Sequence, residues 1–509
     1  MSHSPPGKAA SLWLETTART DYPALREGLK VDVAIIGGGI AGITTAWMLK
    51  RAGMKVAILE SLKIVEGVTG FTTAKVSSQH HLIYADLIKK FGEDGARTYA
   101  QSNEAALAAM RDLVVSEGID CDWEEQSAYT YALAPDDVDQ LREEEQAALT
   151  LGLPASFTTE TSLPYDIAGA LRFNRQAQFH PRKYLLHLAQ GIPGDGSFIF
   201  EDTRVTGLDQ GDECVVETER GNVTAENVVV ATNMPIFDRG FFFAKVHPER
   251  SYVVTADWDG AEAFKGMYIS VGGSTRSIRT MIYEGRHVLQ VGGEGHKTGQ
   301  ELDTEERYNN LETWAREQFG VSNFLHHWST QDCVSIDRVP YIGRLTRGMD
   351  NVSVATGFGK WGMTGGTVAA TILSDSILGR DNPWASLYDA KRLNPVASVK
   401  DFTQENLNVA QHFVGDRLSH PQQADADELA PGQGGIVKVD GRKSAAFRDD
   451  AGKLHAFSHV CTHLGCHVRW NEAEVSFDCP CHGSRFDRFG KVIQGPAVKD
   501  LEPREQQNR

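Results

Sequence analysis

The chain has no run of eighteen apolar residues, so it offers no segment long enough for a helical membrane span. Its first thirty residues lack both a basic n-region and an apolar h-region, and no twin arginine appears, which argues against secretion and leads us to expect a cytoplasmic protein. Positive charge is also short. With 51 basic against 68 acidic residues the net charge is -17, which repels phosphate backbones and anionic lipid and excludes nucleic acid as an expected partner. There is no internal repeat and no low-complexity tract. Cysteine is scarce over most of the chain, where Cys121, Cys214 and Cys333 stand far apart, yet four of the seven crowd between Cys461 and Cys481. In a reduced compartment such crowding points to metal more often than to bridges.

What is present is a chain of 509 residues, 41% hydrophobic, which allows about three folding units and needs no disulfide staples. Val31 to Ile36 is a short apolar run of the kind buried on both faces of a sheet, and the glycine-rich turn Gly37 to Gly42 follows it. A helix is expected next, ending near Gly53, and then a second buried strand from Met54 to Glu60. Residues 84–118 and 136–152 carry apolar positions at helical spacing, and 155–340 reads as short strands with turns. Asn351 to Thr356 is again a buried strand, followed by GFGKWG and a helix of small residues through Leu378, stopped by Asp381, Asn382 and Pro383. Residues 395–420 read as a solvated helical connector and Gln422 to Gly435 as a polar linker. Beyond it, short alternating runs broken by Gly and Asp turns indicate a small all-β domain, nearly neutral, with 12 basic and 13 acidic residues in 421–509.

Gly37-x-Gly39-x-x-Gly42 between strand and helix suits a dinucleotide: the glycines allow the tight turn, the close approach of pyrophosphate and helix packing, and the helix N-terminus faces the phosphates. Glu60 ends the second strand eighteen residues later, where an acid accepts the ribose hydroxyls and disfavours a 2′-phosphate. Gly357 to Gly362 repeats the glycine pattern, but no strand ending in an acid follows it. Its helix therefore points its amides at another negative group of the same cofactor, such as a flavin carbonyl that gains charge on reduction.

With VAIIGGGIAGITTAWMLKRAGMKVAILE, VVVATN, DRVPYIGR and NVSVATGFGKWGMT, the chain over roughly 28–390 resembles the FAD-dependent oxidoreductase family that includes D-amino-acid oxidase, glycine oxidase and sarcosine oxidase. The resemblance implies an α/β, Rossmann-like FAD-binding domain (28–95, 155–240 and 330–392) and an α+β substrate-binding domain (96–154 and 241–329). It implies that Gly37, Gly39, Ile40, Ala41, Gly42 and Glu60 hold the adenosine diphosphate half of FAD, and that Thr69, Thr72, Thr73 and Ala74 run along the pyrophosphate and flavin. Val205 would approach the adenine, Ala231 and Thr232 belong to the same set, and Gly357, Gly359, Lys360, Trp361, Gly362, Met363 and Thr364 would meet the isoalloxazine. The arginine that binds the substrate carboxylate in glycine oxidase-like members has no counterpart in His326 to Asp332, so a simple amine is as plausible as an amino acid. Lys360 is the one candidate for a flavin-facing catalytic group, and it competes with a lysine turned outward. His80, His81, Tyr252, Arg279 and Tyr283 are possible pocket residues without an assigned role.

The second constellation is Cys461-Thr-His463-Leu-Gly-Cys466 with Cys479-Pro-Cys481-His482-Gly-Ser484, fifteen residues lying between His463 and Cys479. Each loop offers a thiolate and an imidazole. Two thiolates suit one iron and two imidazoles its neighbour, the division of a Rieske [2Fe–2S] centre. A tetrahedral zinc site is the rival, though zinc fingers pair Cys with Cys and His with His. The loops resemble those of the Rieske family, in its disulfide-containing branch, over roughly 425–505, and 393–424 then becomes a connector to a Rieske domain at 425–509. The resemblance implies Cys461, His463, Cys479 and His482 as cluster ligands, a Cys466–Cys481 disulfide, a hydrogen bond from Ser484 to a cluster sulfur, and Gly495-Pro496-Ala497 as a covering loop. Phe486 stands where high-potential members carry a tyrosine, and one hydrogen bond fewer should lower the potential.

FAD and a one-electron cluster on one chain imply a dehydrogenase that oxidises a C–N bond of an amine or amino-acid-like substrate and passes electrons through the cluster to an external acceptor. Two alternatives stay open: a reductase running the opposite way, and a non-catalytic electron carrier or redox sensor. A ring-hydroxylating oxygenase would need two histidines and a carboxylate around a mononuclear iron, and no such set stands out.

Overall fold

The structure is a computed structural model that describes residues 5, 7–237, 239–301, 303–392, 408 and 425–504. Leu29–Ile36 forms the centre of a largely parallel sheet because Val33, Ala34 and Ile35 are fully buried on both faces. The strand order is Tyr341–Arg344, Val352–Thr356, Asn222–Val230, Leu29–Ile36, Val56–Leu59 and Phe198–Phe200. The helices Ile40–Arg51 and Gly362–Ile377 pack together, the second burying Gly365, Gly366, Ala369 and Ala370, whose small size lets the two axes approach.

A ten-stranded sheet runs beside it in the order Lys8–Ala9, Phe324–Ser335, Val246–Ala256, Arg286–Lys297, Arg276–Tyr283, Met267–Val271, Glu124–Ala132, Gly169–Gln178 and Lys75–Val76, with Ala155–Thr158 added on Gly169–Gln178. The expected short strands of 155–340 are here joined by strands of up to twelve residues. Gly292, Gly293 and Gly295 interrupt the apolar alternation of Arg286–Lys297, which hides its length from a pattern reading. The helix expected over 84–118 is observed as Tyr84–Ser116, interrupted at Gly92, whose φ of 73° no helix accommodates. Among the described residues no helix is long and apolar enough to cross a membrane.

The C-terminal region folds as two small antiparallel sheets, Gly434–Val439, Arg442–Arg448 and Leu454–Ser458, then Arg469–Asn471, Ser476–Asp478, Arg485–Asp487 and Val492–Gln494. Its core mixes Val468, Phe477, Phe486 and Leu501 with Cys461, Cys466, Cys479 and Cys481. The expected connector at 395–420 lies outside the described residues apart from Asn408, as does the start of the linker. From Asp425 a capped turn over Ala426–Glu428 leads into the first strand at Gly434.

Candidate functional site

A cleft of about 420 Å³ opens at the end of the central strands, between the two large sheets. The glycine turn forms its floor. A Cβ on Gly37 would lie 2.6 Å from the Ala231 carbonyl oxygen, and one on Gly42 would lie 2.0 Å from the Gly37 oxygen, so neither position admits a side chain. The Glu60 carboxylate accepts from the Gly38 N–H at 2.8 Å and the Leu62 N–H at 2.9 Å, and burial pushes its pKa up against these bonds. Thr69 accepts from the Ile40 N–H at 3.2 Å at the start of the helix. Gly37, Gly39, Ile40, Ala41, Glu60, Thr69, Thr72, Val205, Ala231, Thr232, Lys360, Gly362 and Met363 all line this cleft. A floor stripped of side chains, at a helix N-terminus with an acid beside it, fits a dinucleotide.

A second cavity of about 680 Å³ adjoins the first and shares Val68, Thr72, Thr330, Asp332, Phe358 and Lys360 with it. Thr73, Gly359 and Trp361 line this second space. Gly42, Ala74, Gly357 and Thr364 lie behind the walls of both, with the Thr364 hydroxyl donating to the Ser77 carbonyl at 3.3 Å.

Lys360 stands at the junction with its side chain 41% exposed and its ammonium 3.0 Å from Glu249. Burial opposes its charge, but Glu249 and Asp332 outweigh burial and hold it above the usual lysine range. Burial lifts Asp332 to about 6 despite Lys360, whereas His247 and Lys360 overcome the burial of Glu249 and hold it at about 2.

Of the five other pocket candidates, His81 and Tyr252 line the second cavity. His80 lies behind Trp361, stacked on its ring at 4.6 Å, and burial drops its pKa to about 3. Arg279 is spent on the carbonyls of Thr73 and Ala74, and Tyr283 packs edge-on to His326. The sequence reading missed Lys75. It is 8% exposed, donates to the Tyr268 carbonyl at 2.8 Å and the Ser277 hydroxyl at 2.7 Å, and has no acidic partner among the described residues. Burial drives its pKa well below the usual value. Among Thr72, Thr73, Ser77 and Ser78 nothing in the sequence sets it apart from a solvated lysine.

In the C-terminal region the loops at 461–466 and 479–484 face each other. The Cys466 and Cys481 sulfurs form a disulfide with Cα atoms 6.5 Å apart. The Cys461 and Cys479 thiols are in hydrogen-bond contact, and the His463 and His482 rings stand perpendicular with centroids 5.1 Å apart. Two adjacent sulfurs and two adjacent imidazoles form a donor set that fits a cluster with one iron on each pair. The Ser484 hydroxyl reaches Cys461 and accepts from the Ala497 N–H at 3.0 Å. Phe486 is fully buried and brings no hydroxyl to this core.

Residues 32–376 match the model of the FAD dependent oxidoreductase family, and residues 421–504 match the Rieske [2Fe-2S] domain. The chain belongs to the FAD-dependent oxidoreductase family and carries a Rieske domain. Its cofactors are FAD and a [2Fe–2S] cluster. A Bacillus subtilis protein named for a Rieske 2Fe-2S centre, YhfW, is 37% identical over 96% of both chains. Gamma-glutamylputrescine oxidoreductase of Escherichia coli is 26% identical over 45% of this chain and 53% of its own. Glycine oxidase from Geobacillus kaustophilus superposes with a TM-score of 0.61 at 19% identity, over 72% of this chain and 99% of the other, which concerns the fold alone.

In this oxidoreductase the Rieske domain is joined to the flavin fold by buried polar contacts. The fully buried Arg250 lies 3.2 Å from Glu474 and also donates to Ser329. Tyr308 donates to Glu474 at 2.8 Å, and Thr304 to Asn471 at 2.8 Å. The Gln331 amide, oriented by the Thr298 hydroxyl at 3.0 Å, donates to the Gly483 carbonyl at 2.9 Å. Gly483 is confined there, since a Cβ would lie 2.6 Å from Pro248.

Proposed function

We propose that this oxidoreductase is a cytoplasmic dehydrogenase that oxidises an acid-bearing amine in the second cavity and passes the electrons singly to the Rieske cluster and on to an external acceptor. In this reading the glycine cleft holds FAD, with Gly37, Gly39, Gly42 and Glu60 at its adenosine end and Lys360 to Met363 at its flavin end. Cys461, His463, Cys479 and His482 hold the cluster. FAD supplies acceptance of a hydride, and the cluster supplies storage of a single electron. The amine loses two electrons and two protons to become an imine, which water hydrolyses to a carbonyl compound and the amine leaving group.

The chain's own residues have distinct parts in this. Lys75 lines the second cavity with no acidic partner among the described residues, and because burial favours its neutral form, a substrate carboxylate beside it would restore its charge, which favours an acid-bearing substrate over a simple amine. Lys360, fixed by Glu249, keeps positive charge where negative charge develops on reduction. Asp332, held near neutrality by burial, is suited to exchange a proton close to the working pH.

The observation that carries the relay is strand Phe324–Ser335. Thr330 and Asp332 line both cavities, while the Gln331 side chain between them is bonded to the carbonyl next to His482. Cavity and cluster loop are thus separated by one strand. Cys461→Ser tests the reading: with a panel of amino acids under anaerobic conditions, the flavin band should still bleach, while turnover with a one-electron acceptor is lost. Full turnover would overturn the relay, and failure of every donor to bleach the wild-type flavin would leave a carrier as the better account.

A further inference from the structure

The wall of the glycine cleft is not made by the flavin fold alone. Val492, Ile493, Gln494 and Gly495 of the Rieske domain line it, together with Ala497 and Val498. They stand beside the adenosine end. Arg204, next to Val205, donates to the Val492 carbonyl at 2.9 Å, and Thr203 donates its N–H to the carbonyl of Glu60 at 2.9 Å, which ties this strand to the acid of the glycine motif. Further along, a Cβ on Gly495 would lie 3.3 Å from Ile236, so the segment crosses directly over the turn that follows Ala231 and Thr232.

Two further contacts hold this segment in place. Arg204 lines the cleft, and its Nη1, shut off from solvent and without a hydrogen bond among the described residues, lies 3.8 Å from the Asp500 carboxylate. Asp500 itself accepts from the Val492 N–H at 2.9 Å, so it is occupied in holding the covering strand. Ile493 and Gln494 line the cleft beside this anchor, and an aliphatic and an amide side chain at the adenosine end suit a flat ring with polar edges.

We propose that the Rieske domain is part of the FAD site: residues 492–495 close the cleft over the adenosine half of FAD and hold it there, with Arg204 anchoring them. The inference rests on the reading that the glycine cleft holds FAD. It gives the fusion a binding role besides electron transfer, since FAD then leaves only when the cluster domain lifts.

The test measures FAD affinity and release by flavin fluorescence on the full chain after FAD removal, with the [2Fe–2S] absorption spectrum as a check that the Rieske domain is intact. Ile493→Ala and Gln494→Ala should each weaken FAD binding about tenfold, the worth of one half-buried contact, with the cluster spectrum unchanged. Arg204→Met, which leaves the Rieske sequence untouched, should do the same if the Rieske-side variants misfold. Gly42→Val serves as the reference and should lose FAD altogether. Wild-type affinity in Ile493→Ala, Gln494→Ala and Arg204→Met, with FAD lost in Gly42→Val, overturns the closing role alone; FAD retained by Gly42→Val overturns the cleft reading beneath it.

Discussion

Asp332 shows how a single position can set a pH response. Its carboxyl titrates at about 6 because burial resists its charge, and the charges facing it are Lys360, Glu249 and Arg250. Lys360 and Glu249 neutralise each other throughout this range, one held above and the other below its ordinary value. Across pH 6 Asp332 therefore adds a charge of its own to this group. As pH rises through about 6 it becomes an anion beside the cavity junction, and an added negative charge disfavours reduction of a neighbouring flavin. The flavin potential should fall more steeply with pH between 5 and 7 in the wild type than in Asp332→Asn; equal slopes in a spectroelectrochemical titration would remove Asp332 from the flavin's surroundings.

At the scale of elements, strand Phe324–Ser335 connects the two redox regions, and Gln331 is its contact. Replacing Gln331 with Leu keeps its bulk but removes the bond to Gly483, leaving a buried carbonyl without its donor. Electron transfer from photoreduced flavin to the cluster should slow about tenfold if the loop populates its docked position correspondingly less, while flavin reduction by substrate is unchanged. An unchanged cluster reduction rate would make Gln331 structural only. This contact also marks what the sequence could and could not reveal. The glycine turn with Glu60, and the paired loops of Cys461 to Cys466 and Cys479 to Ser484, are legible because their chemistry is local and their spacing is short. The pairing of Gln331 with Gly483 joins residues 152 positions apart. Arg250 with Glu474 and Arg204 with Val492 likewise depend on a domain seam that neither residue type announces. Lys75 was hidden differently, since a lysine in a strand reads as solvated until the sheet places its ammonium under Tyr268 and Ser277.

An ion pair crosses the seam between the two regions, and this bears on how the molecule should come apart. Asp478 is buried and Glu474 partly so, yet Arg250 and Arg485 outweigh that burial and hold both acids below their ordinary values. Acids with lowered folded pKa values stabilise the structure above about pH 4 and lose that contribution as pH falls through the folded values, so acid should release the Rieske domain from the flavin fold. At neutral pH the Arg250–Glu474 pair, which crosses the seam, should couple the two regions into one cooperative unit. Arg250→Met removes the cross-domain cation of Glu474, which keeps Arg485 at 3.7 Å and some solvent exposure, so the cost falls below the ~3–5 kcal/mol of a fully buried pair. Flavin release and cluster bleaching should coincide in a single thermal transition in the wild type and move together to lower temperature in Arg250→Met. Two separated transitions in the wild type would mean that the seam does not couple the domains, and that each cofactor is held by its own region alone.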